Sequence, residues 1–234
     1  YENMSKGFVL FRCCFLLFLG VFIFHSKTHA QERVISTGVP FLLITPDARA
    51  AGMGEQGVAT SVDAFSQQWN PAKYVFSEQN SAFAISYTPY LSKLVSDIFL
   101  ANITYYNKNS ERSAWATSLK YFSLGEIVLN DLVAGSIIQQ GVERPNELNL
   151  DFSYSLLLNS KYSMAVAARF IRSDLKLSSD ADASSANTLG VDIAGFYRSD
   201  LFDFRENKAR LRAGFNISNI GPRLKYDEGG QKNF

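Results

Sequence analysis

From about residue 80 onward, apolar and polar side chains alternate along the chain. In "NLDFSYSLLL" (149–158), Leu150, Phe152, Tyr154, Leu156 and Leu158 fall on one face, and Asn149, Asp151, Ser153 and Ser155 on the other. In "YSMAVAARF" (162–170), Tyr162, Met164, Val166, Ala168 and Phe170 oppose Ser163, Ala165, Ala167 and Arg169. A period of two predicts strands with one apolar and one polar face. The pattern recurs at Phe99, Ala101, Ile103, Tyr105, and at Trp115, Thr117, Leu119, Tyr121. It returns at Leu189, Val191, Ile193, and at Leu211, Ala213, Phe215, Ile217. With a shorter run at Phe83, Ile85 and Tyr87, seven strands are predicted.

Strand length and the chemistry of the polar face then separate two all-β architectures. Globular strands average about 5–6 residues, whereas strands that cross a bilayer at a tilt need about 9–11, and the clearest runs here are of the longer kind. The polar faces also carry the full charges of Lys120, Asp151, Arg169, Asp192 and Arg212. These suit a wet lumen, where they form a charge network, better than the core of a secreted β-sandwich, the alternative reading. Connectors alternate as a membrane meander requires: 107–111 and 159–161 are short periplasmic turns, while 123–148 and 172–187 are long outer loops. On this scheme "LGEIVLND" (124–131) extends a strand beyond the membrane, and Tyr105, Trp115, Tyr154 and Tyr162 are girdle aromatics at the lipid interface. An odd strand number with an open edge cannot sit in lipid, so the chain reads as part of a larger barrel.

The front of the chain differs. Lys6 and Arg12 precede the apolar run "CCFLLFLGVFIF" (13–24), and Thr28 and Ala30 stand at −3 and −1 to Gln31. This is the pattern of a cleaved secretory signal over residues 1–30, the run being shorter than the roughly 20 residues of a membrane-spanning helix. Cleavage removes Cys13, Cys14, His25 and His29, the only cysteines and histidines. Thiol nucleophiles, disulfides, Ser-His-Asp triads and zinc sites with His or Cys ligands are then excluded from the mature chain. The loop "SDLKLSSDADASSANT" (173–188) lacks the glycine turn and terminal Glu of an EF-hand calcium loop, so no metal and no cofactor is expected. Of 23 basic and 22 acidic residues, 20 and 21 remain after cleavage, a balance that gives no support for nucleic-acid binding.

Between signal and strands lies "DARAAGMGEQGVATSVDAFSQQWNPA" (47–72), too polar to face lipid. Its start favours helix, and its glycines, Gly52 and Gly54 among them, permit close approach and left-handed turns. Asn70 with Pro71 and Ala72 supplies a helix start, Asn70 as the cap and Pro71 at the first helical position. Asp47 and Arg49 read as a local cap or salt bridge. Residues 31–80 are thus a hatch that plugs the periplasmic mouth of the barrel, and 81–234 the barrel part.

The Asp-Ala-Arg-Ala-Ala-Gly-Met-Gly run, Asn-Pro-Ala, "PNELNLDFSYS" (145–155) and "ARFIRSDL" (168–175) together resemble the PorV (LptO) family. These are outer-membrane proteins of the Bacteroidetes type IX secretion system, within the wider FadL-like superfamily. The resemblance covers residues 31–234 and implies a fourteen-stranded barrel with about its first half in this chain. It implies a non-enzymatic carrier embedded in outer-membrane lipid. Its partners would be secreted proteins bearing C-terminal signal domains, the translocon that releases them, and the sortase-bearing attachment complex. A carrier would use the outer loops 89–96, 123–148 and 172–187. The alternative, a FadL-like transporter of hydrophobic small molecules, would use an apolar lumen pocket, and the charged inward faces favour the carrier. A lipid A deacylase-like hydrolase would need Ser/Lys or carboxylate chemistry, lacking histidine.

Overall fold

The computed structural model describes residues 39–133, 136–175, 185–222 and 224. The signal segment 1–30 lies outside them, as do parts of the loop 172–187 and of the C-terminal stretch. Short helical turns come first: Pro40–Leu43, Ala48–Gly52, Ser66–Trp69 and Pro71–Phe76. The strands follow as β1 (Ser81–Pro89), β2 (Ile98–Ser110), β3 (Ser113–Leu124), β4 (Ile127–Val133), β5 (Ser136–Glu143), β6 (Asn146–Leu157), β7 (Tyr162–Asp174), β8 (Ala186–Arg198), β9 (Phe202–Phe204), β10 (Asn207–Ala209) and β11 (Arg212–Ile220). The large sheet has seven strands in the order β1-β2-β3-β6-β7-β8-β11, each antiparallel to the next. All seven correspond to the predicted strands, and the sheet is open at β1 and β11.

Two hairpins interrupt the meander. At "LGEIVLND" the expectation of an extended β3 gives way to a separate hairpin of β4 with β5. Gly125 explains the break: its backbone is left-handed (φ +85), and a Cβ there would lie 3.0–3.1 Å from Ile98 and Asp97. Ser123 Oγ accepts from the Gly125 amide and donates to the Asp97 carbonyl, closing the corner. The second hairpin, β9 with β10, sits between β8 and β11, at the end where the other connections are short. It was not read from the sequence, because three-residue strands are too brief for periodicity to register.

The faces of the sheet settle the architecture. Ile85, Phe152 and Val166 on the apolar face are 65%, 53% and 57% exposed, whereas Asn149 and Asp151 on the polar face are 1% exposed. A sandwich would bury the apolar face against a second sheet, and the reverse is found. Aromatics border the aliphatic face at two levels. Tyr105, Trp115 and Phe152 pack in sequence across β2, β3 and β6, and Tyr162 meets Tyr197 across β7 and β8, all toward the short-turn end. Tyr87, Phe99 and Tyr121 form a matching row toward the other end. Between them run paired aliphatics such as Ile85 with Ile103, Leu119 with Leu150, and Val166 with Ile193. An outward apolar band between aromatic rows is the arrangement of lipid-facing strands.

The polar face is buried by the chain's own N-terminal segment instead of lining open water. This segment runs along the inner face from Phe41 and Leu42, which pack on Ile171 and Ala186, to Tyr74 and Phe76, which pack on Tyr106 and Phe196. Small inward residues, Ala114, Ala116, Ala165 and Ala194, leave it room. Tyr74 stacks on Tyr106 at 4.5 Å, and its hydroxyl donates to the Ala64 carbonyl and accepts from the Gln67 amide. The hydrophobic core therefore lies between hatch and wall.

Replacing Val166 by Arg is expected to cost about 2–4 kcal/mol of stability in phospholipid bilayers, the range for a cation at the midplane of a lipid face. Val166→Leu should be near neutral. Urea titration of the bilayer-inserted full-length protein measures both.

Candidate functional site: hatch and inner wall

The segment Gln67–Ala72 makes hydrogen bonds to five successive strands of the wall. Gln67 Oε1 accepts from Ser153 Oγ of β6 at 2.6 Å. Gln68 Oε1 accepts from Lys120 Nζ of β3 at 2.7 Å, while Gln68 Nε2 donates to the Leu42 carbonyl. The Asn70 amide donates to the Gly195 carbonyl of β8 at 2.9 Å and reaches the Phe215 carbonyl of β11 at 3.5 Å. The Ala72 carbonyl accepts from Ser163 Oγ of β7 at 2.6 Å. Asn70 also accepts from the Ala72 amide, capping the turn that Pro71 opens.

Glycines set how closely this latch can approach. A Cβ on Gly214 would stand 2.8 Å from Asn70 Nδ2 and from the Val58 carbonyl, and one on Gly57 would enter the Trp69 ring at 2.1 Å. The glycines singled out from sequence do otherwise. Gly54 (φ +73) is the left-handed residue ending helix Ala48–Gly52: its amide donates to Ala51, and that of Glu55 to Ala50, a Schellman motif. Gly52 has open space around its Cβ position, so close approach belongs to Gly57 and Gly214 instead.

The remaining hatch residues hold it together internally. Asp47 caps helix Ala48–Gly52 by accepting from the Ala50 amide at 2.7 Å, and its other oxygen accepts from Trp69 Nε1 at 3.2 Å. Arg49 is paired with Asp63 and donates to Ser61 Oγ, so Asp47 and Arg49 do not form a pair with each other. Lys73 donates to the Gly57 carbonyl at 2.7 Å, and burial holds its ammonium down to about 8, Asp63 opposing the shift.

Of the five charged wall residues, three meet. Arg169 Nε donates to Asp151 Oδ1 at 2.8 Å and Nη2 to Asp192 Oδ2 at 2.9 Å, all three being nearly inaccessible. Asp151 is directly opposite Arg169 in register, and Asp192 lies on the diagonal. Ser118 and Asn149 donate to the second oxygen of Asp151. The Asn219 amide donates to Asp192 and its side-chain oxygen accepts from Arg169 Nη1. Asn219 reaches them because β11 bulges after Ile217 and Asn219 is left-handed (φ 63), a conformation asparagine tolerates. Lys120 stands outside this triad, donating to the Leu42 and Ile44 carbonyls and to Gln68. Arg212 also stands outside it: its register opposite Arg198 places it at the short-turn end.

Gln67, Gln68, Ser153, Ser163 and Asn219 were not singled out from the sequence. The only signal for them was the pair of glutamines before Asn-Pro-Ala and the serines at inward positions, neither specific without the fold. Among the described residues no group of three or more His, Cys, Asp or Glu side chains is placed to hold a metal.

An open meander with an apolar outer face, and with a segment of short helical turns latched on its polar inner face, has the architecture of part of a membrane β-barrel wall. No helix among the described residues is long and apolar enough to cross a membrane. The chain belongs to the family described as type IX secretion system protein PorV, which it matches over residues 27–234. No curated protein matches it in sequence.

Asp151→Ala leaves Arg169 with one of its two carboxylates and is expected to cost about 3–5 kcal/mol, as for a broken buried pair. Arg172→Ala, which removes an exposed pair with Asp174, should cost under about 1 kcal/mol. Equilibrium unfolding of the full-length protein separates the two. Gly214→Ala should push Asn70 off β8 and raise protease cleavage within 47–72 while the strands stay protected, as limited proteolysis would read.

Proposed function

We propose that this chain forms the hatch-bearing part of an outer-membrane barrel that binds the C-terminal signal domain of secreted proteins. The barrel then carries them from the translocon to the attachment complex on the cell surface. Membership of the type IX secretion family supports the system to which it belongs. The observation that favours a carrier is the filled inner face: charged side chains and a latched hatch occupy the place where a transporter of hydrophobic molecules needs an apolar pocket. A protein partner must then be met at the ends of the strands.

At the end opposite the short turns, the β4–β5 hairpin stands apart from the main sheet and exposes Ile127, Val128, Ile138 and Val142. Leu91 and Leu94, in the connection between β1 and β2, are exposed at the same end. These apolar side chains at the rim form a docking surface for a folded signal domain. On this reading the complete barrel has fourteen strands, residues 31–80 are its hatch, and the inner charged residues serve its architecture, not chemistry.

Full-length protein isolated from outer membranes is expected to co-purify with proteins that share a C-terminal domain. Replacing 127–143 by a short turn should abolish that while leaving membrane insertion unchanged. Recovery of bound lipid without protein would instead favour the transporter.

A further inference from the structure

The short-turn end of the sheet holds a cluster that neither the latch nor the ion triad uses. Arg198 ends β8, Arg212 begins β11, and the two are direct cross-strand partners, with Arg210 just upstream. Like charges opposite one another on neighbouring strands repel. Among the described residues none of the three has a carboxylate within ion-pair distance. Arg198 is held in place by donating to the Phe76 carbonyl at 3.3 Å and by lying over the Phe76 ring at 4.4 Å. Arg210 Nε is buried with no hydrogen-bond partner, an arrangement that costs free energy unless an acceptor arrives. All three line one cavity of about 450 Å³ between hatch and wall. Of the carboxylates there, Asp63 is engaged by Arg49 and Glu78 is exposed. A neighbouring cavity of about 330 Å³ shares Arg198, Arg210 and Glu78 and adds Glu111 and Lys108, the lysine donating to the Ser77 carbonyl.

We propose that this cavity is a binding site for a phosphate group, carried by a soluble molecule or by a lipid headgroup. Three guanidinium forks offer more donors than one carboxylate can accept, whereas a phosphate presents more oxygens and up to two charges. The volume falls within the range of small-molecule sites and exceeds the need of a bare ion. The site is independent of the cargo-binding reading, since it lies at the opposite end of the strands.

The test uses full-length protein purified in detergent and stripped of lipid, titrated by calorimetry at constant ionic strength. The probes are inorganic phosphate and, separately, dihexanoyl phosphatidylglycerol. Saturable binding of at least one probe is expected, weakened about tenfold or more by Arg210→Gln and by Arg212→Gln, which remove charge-assisted donors. Arg112→Gln, an exposed cation of the nearby β2–β3 turn, should change nothing. Binding of inorganic phosphate alone assigns a soluble ligand; lipid binding that inorganic phosphate displaces assigns a headgroup. Absence of saturable binding of both probes to the folded wild type overturns the proposal, as does affinity that survives both glutamine substitutions. Should the glutamine variants fail to fold, Arg210→Lys and Arg212→Lys keep the charge but lose the fork, and unchanged affinity in both would equally overturn it.

Discussion

A polar face removed from water must find partners, and in this protein the partners come from the segment that precedes the first strand. Asn149, Asp151, Ser153, Lys120, Arg169 and Asp192 are all nearly inaccessible, and a buried charge or amide without a partner costs several kcal/mol. Asp151, Arg169 and Asp192 satisfy one another across β6, β7 and β8. Lys120 and Ser153 turn instead to Gln68 and Gln67 of the hatch. Wall and hatch are therefore mutually dependent: without the hatch Lys120 and Ser153 would exchange these partners for water, and without the wall the hatch is a string of single helical turns. Helices of four to six residues lie far below the length that sustains itself in water.

Steric fit matters as much as polarity. Alanines at 114, 116, 165 and 194 give the inner wall a low relief in the cluster that Tyr74 and Phe76 join, and Gly214 lets Asn70 come within reach of main-chain oxygens on two strands. Each of these small residues occupies an inward position of the two-residue period. In a sequence they read as weak or neutral strand residues. In the fold they are the space the hatch needs.

The division of labour between faces bears on how a member of a secretion family can work. The outward face is committed to an apolar band and the inward face to the hatch, so the proposed carrier would recognise its partners at the two ends of the strands. One end carries the separate β4–β5 hairpin with exposed aliphatic side chains, the other an arginine cluster at the junction of hatch and wall. These surfaces differ in their chemistry, one apolar, the other cationic and half-open, with Arg212 exposed.

The strands, their faces and their order were legible in the sequence because a period of two is a local property: residues 149–158 announce an apolar side and a polar side without reference to anything distant. The cap at Asn70 and the turn at Pro71 were legible for the same reason, their hydrogen bond spanning two residues. Which way each face points was only inferable, and the tertiary structure decided it by burying Asp151 while exposing Val166. The reach of the hatch along the inner wall, the pairing of Gln67 and Gln68 with β6 and β3, and the separation of Lys120 and Arg212 from the ion triad were beyond the sequence. Those contacts join residues dozens of positions apart through strand register, and a charged side chain in an alternating run carries no mark of which neighbour the register will bring to it.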